Sequence, residues 1–281
     1  MLQKFFKYHG AGNDFLLADN RDGRLVLSES QIRQLCNRHT GFGADGVILL
    51  ESAPGYDFRM VFYNPDGSSG MMCGNGGRCI VAFAADLGVV SGKFPVEFVS
   101  ADGPHTAVIL SSGKDVPRTI RLKMKDVDGV KGYSEENACF LDTGTRHLVK
   151  FVEGLADYPV VPEGSRLRSD ERFAPEGTNV DFVEVLTQSD GMVLKVRTFE
   201  KGVEDETLAC GTGIVACAVA AYSLQIPWNE TDGDGVSYPV RAAIADLSVD
   251  FVPEKDGASL QAHDIWLTGP AAFVGTVECI L

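Results

Sequence analysis

Two cysteines of this chain of 281 residues stand in matching surroundings. Cys73 is followed by Gly74-Asn75-Gly76 and Cys210 by Gly211-Thr212-Gly213, and both segments lead into small, apolar runs that predict helices. The first amides of a helix have no partner inside it and carry partial positive charge, so they lower the pKa of a nearby thiol and bind a carboxylate. The duplication predicts two thiols around one anion. Such a pair suits the removal of a proton from one face of a carbon and its return on the other.

The α-proton of an amino acid is far less acidic than a thiol, whose ordinary pKa is about 8.5. The enediolate that forms must therefore be stabilised, and one backbone donor in a dry oxyanion site contributes about 3 to 4 kcal/mol. Gly74 and Gly211 let a carboxylate approach the backbone. Inversion also needs one thiolate and one thiol, so Cys73 and Cys210 exchange roles when the reaction reverses.

The other cysteines are interpreted as small buried hydrophobic residues: Cys36, Cys79, Cys139, Cys217 and Cys279. A zinc site is a weaker alternative, because no nearby pair has the two-to-four-residue gap of usual zinc ligands. A disulfide between Cys73 and Cys210 is a further alternative, which oxidation would form and which would inactivate the protein. We expect no metal.

Composition narrows the classes of partner. The chain has 25 basic and 39 acidic residues, a net charge of −14, so nucleic acid and anionic membranes are disfavoured. No apolar run approaches the roughly 20 residues of a membrane span, and charge interrupts the N-terminal segment too early for a signal peptide. We therefore expect a cytoplasmic protein with reduced thiols.

Hydrophobic patterns predict many short strands and few helices. The clearest strands are 46–51, 58–63, 119–123, 180–185 and 193–198. The predicted helices are one that follows the Ser28–Gln31 capping box, then 76–87 and 212–224. The last is apolar on every side, as expected inside a curved sheet. The repeated order predicts two similar domains, 1–127 with Cys73, completed by a strand at 267–281, and 128–266 with Cys210.

The segment from Asn64 to Arg78 carries the signature of diaminopimelate epimerases, and the chain resembles that family at four further segments: 9–15, 41–46, 178–182 and 206–213. The resemblance implies a cofactor-independent epimerase that interconverts LL- and meso-diaminopimelate. It also implies an α+β fold of two similar domains. Each is a curved, mostly antiparallel sheet or barrel around a central buried helix, with the active site in the cleft between them.

The resemblance also implies residue roles. His147 exchanges protons with Cys73, and Glu200 with Cys210. Backbone amides of Asn75 and Thr212 hold the reacting end of the substrate. The residues implied for its distal ammonium and carboxylate are Asn13, Asn64, Asn179, Thr145 and Lys201. Without the resemblance, the histidine would be interpreted as structural, the glutamate as solvated and the asparagines as turn residues.

Two segments depart from the family pattern. Gly-Asn-Pro-His is usual where this chain has Gly144-Thr145-Arg146-His147, and Glu-Arg-Gly is usual where it has Glu200-Lys201-Gly202. At Lys201 an ammonium group, which acts as a point charge, thus replaces an arginine guanidinium, which can form two parallel hydrogen bonds with a carboxylate. One hypothesis is that Arg146 and Lys201 together bind the distal carboxylate. The alternative is that Arg146 points into solvent.

The leading interpretation is a diaminopimelate epimerase of lysine and peptidoglycan precursor synthesis that acts on a small-molecule amino acid without a cofactor. Two alternatives stay open. One is a racemase of the same family for another amino acid, such as histidine or proline. The other, which two intact thiols disfavour, is a non-catalytic amino-acid-binding protein. The sequence leaves a homodimer open.

Overall fold

The computed structural model describes residues 2–70, 72–91, 95–111, 117–189, 191–231, 233–256 and 259–281. The chain forms two compact units, Met1–Leu122 with Gly269–Leu281, and Lys123–Thr268. Across the described ranges, none of the helices has both the length and the apolar character needed to cross a membrane.

The first unit is a sheet with two helices. Its strands are β1 (Leu2–Gly10), β2 (Asn13–Asp19), β3 (Val47–Glu51), β4 (Phe58–Tyr63), β5 (Val96–Ser100), β6 (Gly103–Ile109) and β7 (Arg118–Lys123), and its helices are α1 (Glu29–Cys36) and α2 (Gly74–Asp86). Neighbours along the chain pair in order; β2–β3 and β4–β5 are parallel and the other pairs antiparallel. The last strand of the chain, Ser259–Ile280, pairs with both β1 and β7, so the strands close into a barrel.

The second unit repeats this plan. Its elements are β8 (Val130–Tyr133), β9 (Ala138–Asp142), β10 (Arg146–Phe151), α3 (Val160–Arg168), β11 (Asn179–Gln188), β12 (Gly191–Glu200), β13 (Asp205–Thr207), α4 (Gly211–Ser223), β14 (Asn229–Glu230), β15 (Val236–Arg241), β16 (Asp246–Asp256) and the first half of β17 (Ser259–Ile280). Strands β10–β11 and β12–β15 are parallel, and the other pairs are antiparallel. Each unit thus places its long helix between two parallel strands, β4–α2–β5 and β12–α4–β15.

Both long helices are buried within their own sheets. In α2 every residue from Gly74 to Ala84 is buried, and the helix packs on β1, β2, β3 and β6. In α4 the run Gly213–Ala221 is buried, and the helix packs on β9, β10, β11, β12, β15 and β16. The prediction of a helix buried all round is therefore confirmed for α4. Each unit thus packs its long helix against its own strands.

The surface helix α1 begins as its capping box predicts. The Ser28 hydroxyl accepts a hydrogen bond from the Gln31 amide at 3.3 Å, and the Gln31 side chain accepts one from the Ser28 amide at 2.8 Å. Helix α3 was not among the predicted elements. It packs on the opposite face of β11 and β12 from α4, where Leu167 and Phe173 join a hydrophobic cluster with Phe182 and Phe199.

Candidate active site

The two cysteines of the repeated motif occupy equivalent positions. Cys73 is the N-cap of α2, and Cys210 is the N-cap of α4. Both side chains are half-buried, and a glycine is the first residue of each helix. Each thiol therefore lies beside the first amides of a helix, where an anion is stabilised.

Around Cys73, two asparagine amides form a network. The Cys73 thiol donates to Oδ1 of Asn13 at 3.6 Å, and Nδ2 of Asn75 donates to the same oxygen at 3.4 Å. On its other side the Asn13 amide donates from Nδ2 to Oδ2 of Asp45 at 2.6 Å. The carboxylate can only accept here, so it fixes the Asn13 amide with its oxygen toward Cys73.

In the second unit His147 is fully buried and forms a pair with an equally buried carboxylate. Its Nδ1 lies 2.7 Å from Oδ2 of Asp181, and both side chains are 0 % exposed. The other carboxylate oxygen, Oδ1, accepts from the Thr198 hydroxyl at 2.7 Å. Since an ionised carboxylate only accepts, this pair directs the Nδ1 proton of His147 toward Asp181.

The opposite ring nitrogen of His147 faces two hydroxyls. Nε2 lies 2.9 Å from Oγ1 of Thr145 and 3.1 Å from Oγ1 of Thr212. The Thr212 hydroxyl in turn lies 3.3 Å from the sulfur of Cys210. A continuous polar chain thus connects Asp181, His147, Thr212 and Cys210.

A glycine is required at position 213 because the side chains of Asp181 and His147 lie very close to the start of α4. A Cβ at residue 213 would lie 2.4 Å from Oδ1 of Asp181 and 3.2 Å from the His147 ring. The backbone amide of Gly213 also donates toward Cys210. The glycine of the second motif therefore admits the buried pair directly beneath the helix start.

The Cys210 thiol differs from the sequence-based expectation in its acidity. Burial raises its pKa above the ordinary value, and the negative charges of Glu200 and Asp181 raise it further. The Thr212 hydroxyl and the Gly213 amide act in the opposite direction with smaller effect. The expectation that the helix start lowers the pKa of both thiols is therefore wrong for Cys210, because burial and two carboxylates outweigh the helix start.

Thr198 and Glu200 are two positions apart on β12, so their side chains lie on the same face of the strand. That face is directed toward Asp181 and α4. Strand alternation thus directs the carboxylate toward Cys210. His147, Glu200, Thr145 and Thr212 all belong to the unit of Cys210. Cys73 belongs to the other unit, so its exchange of protons with His147 stays a prediction.

Several residues implied for the distal end of the substrate form hydrogen bonds within the protein. Nδ2 of Asn179 donates to the Arg146 carbonyl at 3.0 Å, and its Oδ1 accepts from the Lys201 amide at 2.9 Å. Asn64 donates to the Ser68 hydroxyl at 3.0 Å within its own turn. The exposed Lys201 ammonium donates to the Glu176 carbonyl at 3.2 Å.

Arg146 and His147 are neighbours on β10, so their side chains point to opposite faces of the sheet. His147 faces α4, whereas the Arg146 guanidinium lies over the Phe140 ring at 5.4 Å. It also donates to the Phe173 carbonyl at 3.3 Å and to the Glu176 carboxylate at 2.8 Å. The interpretation that Arg146 points into solvent is therefore wrong. Arg146 and Lys201 both contact Glu176, the first at its carboxylate and the second at its carbonyl oxygen, so the hypothesis that they share a role stays a prediction.

The remaining cysteines largely match their interpretation as core residues. Cys36, Cys79, Cys139 and Cys217 are buried, and burial raises the pKa of the Cys36 thiol to about 11. Cys279 is only half-buried, because it lies on the last strand, where side chains alternate between core and solvent. The expectation of burial is wrong for this residue.

Among the described side chains, no three of His, Cys, Asp and Glu come together in a group that could hold a metal ion. A cavity of about 650 Å³ lies at the C-terminal end of α4, lined by Cys139, Tyr222, Leu224 and Trp228 among others. Cys210, His147 and Glu200 lie at the opposite end of that helix.

Comparison with known proteins identifies the family. The family model described as diaminopimelate epimerase matches residues 5–116 and 139–231. This chain belongs to the diaminopimelate epimerase family. It is 40 % identical to the diaminopimelate epimerase of Flavobacterium psychrophilum over 275 residues, which cover 96 % of this chain and 98 % of the relative. It is 41 % identical to that of Chlorobaculum tepidum over 272 residues, 95 % and 98 % of the two chains.

Solved structures agree with this family in fold. A phenazine biosynthesis protein of the PhzF family from Bacillus anthracis superposes with a TM-score of 0.72 over 100 % of both chains at 16 % identity. A probable proline racemase from Agrobacterium radiobacter gives a TM-score of 0.68 at 16 % identity, over 99 % of this chain and 93 % of the other. The predicted family and the predicted α+β fold are confirmed.

Sequence reasoning did not single out Asp181 and Thr198. Asp181 lies in the 178–182 segment that supports the family resemblance, but an aspartate within an apolar strand was the only local signal. An ionisable residue at a strand position with buried apolar neighbours needs a partner, and that requirement could have led to His147.

Proposed function

We propose that this chain interconverts LL- and meso-diaminopimelate by two-base proton transfer without a metal or organic cofactor. The observation that carries the proposal is the duplicated N-cap cysteine, placed at a buried helix start in two similarly built units. Relatives about as long as this chain, and 40 % and 41 % identical to it, are named diaminopimelate epimerases. The two compact units serve as the two domains.

In each turnover one sulfur is a thiolate and the other a thiol. The thiolate takes the α-proton, so the Cα–H bond breaks, an S–H bond forms and the electron pair enters the enediolate. The opposite thiol then gives its proton to the other face of the carbon. The first amides of α2 and α4 hold the carboxylate beside that carbon as its charge grows. Cys73 and Cys210 exchange roles in the reverse reaction.

His147 and Glu200 return the two sulfurs to their starting states. Glu200 raises the pKa of Cys210, which keeps that sulfur protonated and ready to donate. His147 accepts or donates at Nε2, because Asp181 holds its Nδ1 proton. Asp181 is a positioning residue in this proposal, since it acts through the imidazole.

The distal ammonium and carboxylate of the substrate bind to Asn13, Asn64, Asn179, Thr145 and Lys201. Asn179 is held by two backbone groups and keeps one donor hydrogen for a ligand. The enzyme works in the cytoplasm on a small molecule, and its net charge of −14 disfavours nucleic acid and anionic membranes. A homodimer stays open.

A panel of amino acids in deuterated water tests the proposal. Proton NMR is expected to show α-carbon exchange with LL-diaminopimelate and little with L-histidine or L-proline. Exchange with L-histidine or L-proline but not with LL-diaminopimelate would favour a racemase of the same family. Exchange with none of the three compounds would favour a non-catalytic binding protein.

We expect Lys201→Ala to raise the KM for diaminopimelate about 10- to 100-fold, the loss of one charge-assisted hydrogen bond. The matched control is Arg146→Ala, which removes a nearby cation from the α3 face of the sheet. Its KM is expected within about twofold of wild type, with a lower Tm from the loss of the Glu176 and Phe140 contacts. Steady-state kinetics and thermal unfolding measure both. A tenfold rise in KM for Arg146→Ala would instead support the shared-cation hypothesis.

Alkylation of Cys210 should follow its raised pKa. In Cys73→Ala, iodoacetamide should label Cys210 slowly at neutral pH, because only the thiolate reacts and burial with Glu200 and Asp181 disfavours it. Glu200→Gln in the same background should lower the pH midpoint of labelling, since a negative charge is removed. Mass spectrometry of the Cys210 peptide measures the rate. An unchanged midpoint would show that Glu200 does not act on this sulfur.

A further inference from the structure

Arg78 is a fully buried cation that the mechanism above does not use. Its side chain is 0 % exposed and is the largest of the completely buried side chains among the described residues. Because helical side chains lean toward the N-terminus, its guanidinium returns to the first turn of α2. Nη2 donates to Oδ1 of Asn75 at 2.7 Å, Nη1 to the Gly74 carbonyl at 3.3 Å and Nε to the Pro270 carbonyl at 3.4 Å.

All three acceptors are neutral oxygens. Among the described residues no Asp or Glu forms an ion pair with Arg78, although a guanidinium stays charged in proteins. A buried charge without an opposite charge is unfavourable, so the site is suited to an anion. The positive charge lies beside the helix start that carries Cys73, and the thiols of Cys73 and Cys79 are the groups whose negative forms it would attract.

The neighbouring charges do not compensate Arg78. Asp14 pairs with Lys7 at 2.7 Å and with Arg38 at 2.8 Å, and Arg38 also pairs with Asp45 at 2.6 Å. These carboxylates are thus occupied by cations of their own.

Of the two thiols, Cys79 is excluded as the anion. It is buried in the middle of the α2 packing, where burial raises its pKa and keeps it neutral. Cys73 is half-buried at the helix start and open to a reactant. The anion that Arg78 can stabilise is therefore the one that forms at Cys73.

We propose that the buried Arg78 guanidinium is the counter-charge of the Cys73 thiolate. The inference rests on the proposed function, in which the Cys73 thiolate takes the α-proton while Cys210 is protonated. Arg78 stays protonated throughout and adds its full charge to the partial charges of the α2 amides. It contacts no reacting atom, so it is a positioning residue. Its contact with Asn75 also directs Nδ2 of that amide toward Asn13.

The test measures the ionisation of Cys73 directly. In a Cys210→Ala background, iodoacetamide labelling of the Cys73 peptide is followed by mass spectrometry from pH 5 to pH 10 in three forms: parent, Arg78→Gln and Arg78→Lys. Arg78→Gln is expected to raise the labelling midpoint by about one pH unit or more, so that labelling at pH 7 falls about tenfold. Arg78→Lys keeps the charge but loses the fork, and its midpoint should stay within about 0.3 units of the parent.

Equal midpoints in the parent and Arg78→Gln would overturn the proposal. If Arg78→Gln fails to fold, Arg78→Lys decides. A midpoint near that of the parent supports the role of the charge, whereas a rise of a full unit would overturn it, because the charge is still present. Labelling needs no substrate. A chain inactive on diaminopimelate that shows the shift would refute the proposed function alone, and an active enzyme without the shift would refute only the role of Arg78.

Discussion

Cys73→Ala and Cys210→Ala are each expected to abolish epimerisation of diaminopimelate, with kcat at least about a thousandfold below wild type. A positioned acid or base typically contributes 10²- to 10⁴-fold, and every turnover needs one group on each face of the carbon. The measurement is the formation of meso-diaminopimelate from the LL isomer. Binding of the substrate should change less, because the helix amides remain.

Cys279→Ala is the matched control for these variants. Its thiol is half-buried on the last strand, and the mechanism does not use it. It should keep the wild-type kcat. Serine at position 73 or 210 should still donate a proton weakly, so such variants should retain more activity than alanine. Wild-type turnover in either alanine variant would refute the two-thiol mechanism.

Asp181→Asn is expected to lower kcat about a hundredfold, with KM within about threefold of wild type. The carboxylate holds the Nδ1 proton of His147 and leaves Nε2 free to exchange a proton, and an amide of the same size holds the ring less strictly. A purely structural role would lower Tm and leave kcat unchanged. Kinetics, thermal unfolding and ¹⁵N NMR of the His147 tautomer separate the two cases.

Thr198→Val is the matched control for Asp181→Asn. It removes the hydroxyl that donates to Oδ1 of Asp181 at 2.7 Å but keeps the carboxylate. Its kcat is expected within about fivefold of wild type, because the contact of Asp181 with His147 remains. A wild-type kcat in Asp181→Asn, with an unchanged His147 tautomer, would contradict the positioning role.

The elements that the sequence predicts well have local causes. Ser28 and Gln31 determine the start of α1 through a capping box, and the run Gly213–Ala221 in α4 has no polar face, so only a buried position suits it. The cysteine motifs predict both helix starts to within two residues. These signals depend on neighbours in the chain.

Helix α3 shows where local signals mislead. The segment contains three residues that usually interrupt helices: Pro159, Pro162 and Gly164. Pro159 is the N-cap, however, and Pro162 lies in the first turn, where a proline is tolerated. Gly164 is present because the helix packs closely on β12. A Cβ there would lie 2.3 Å from the Cβ of Phe199. That packing is a tertiary contact, which no local pattern reveals.

Some features of the candidate site also follow from local sequence, whereas others depend on tertiary contacts. The thiols, glycines and helix starts follow from the motif itself, because one short segment contains them. The pairing of His147 with Asp181 joins residues 34 positions apart and depends on the parallel register of β10 and β11. The raised pKa of Cys210 likewise comes from burial first and then from the charges of Glu200 and Asp181, which the fold brings to the start of α4.

Epimerisation of protiated LL-diaminopimelate in deuterated water tests the two-base claim most directly. In the first few per cent of reaction, NMR and mass spectrometry should show deuterium at the inverted carbon of the meso product and protium in the remaining LL substrate. The reason is that one sulfur removes the proton and the other, exchanged with solvent, supplies the deuteron. Early meso product that retains the original hydrogen would contradict the account, because one base would then serve both faces.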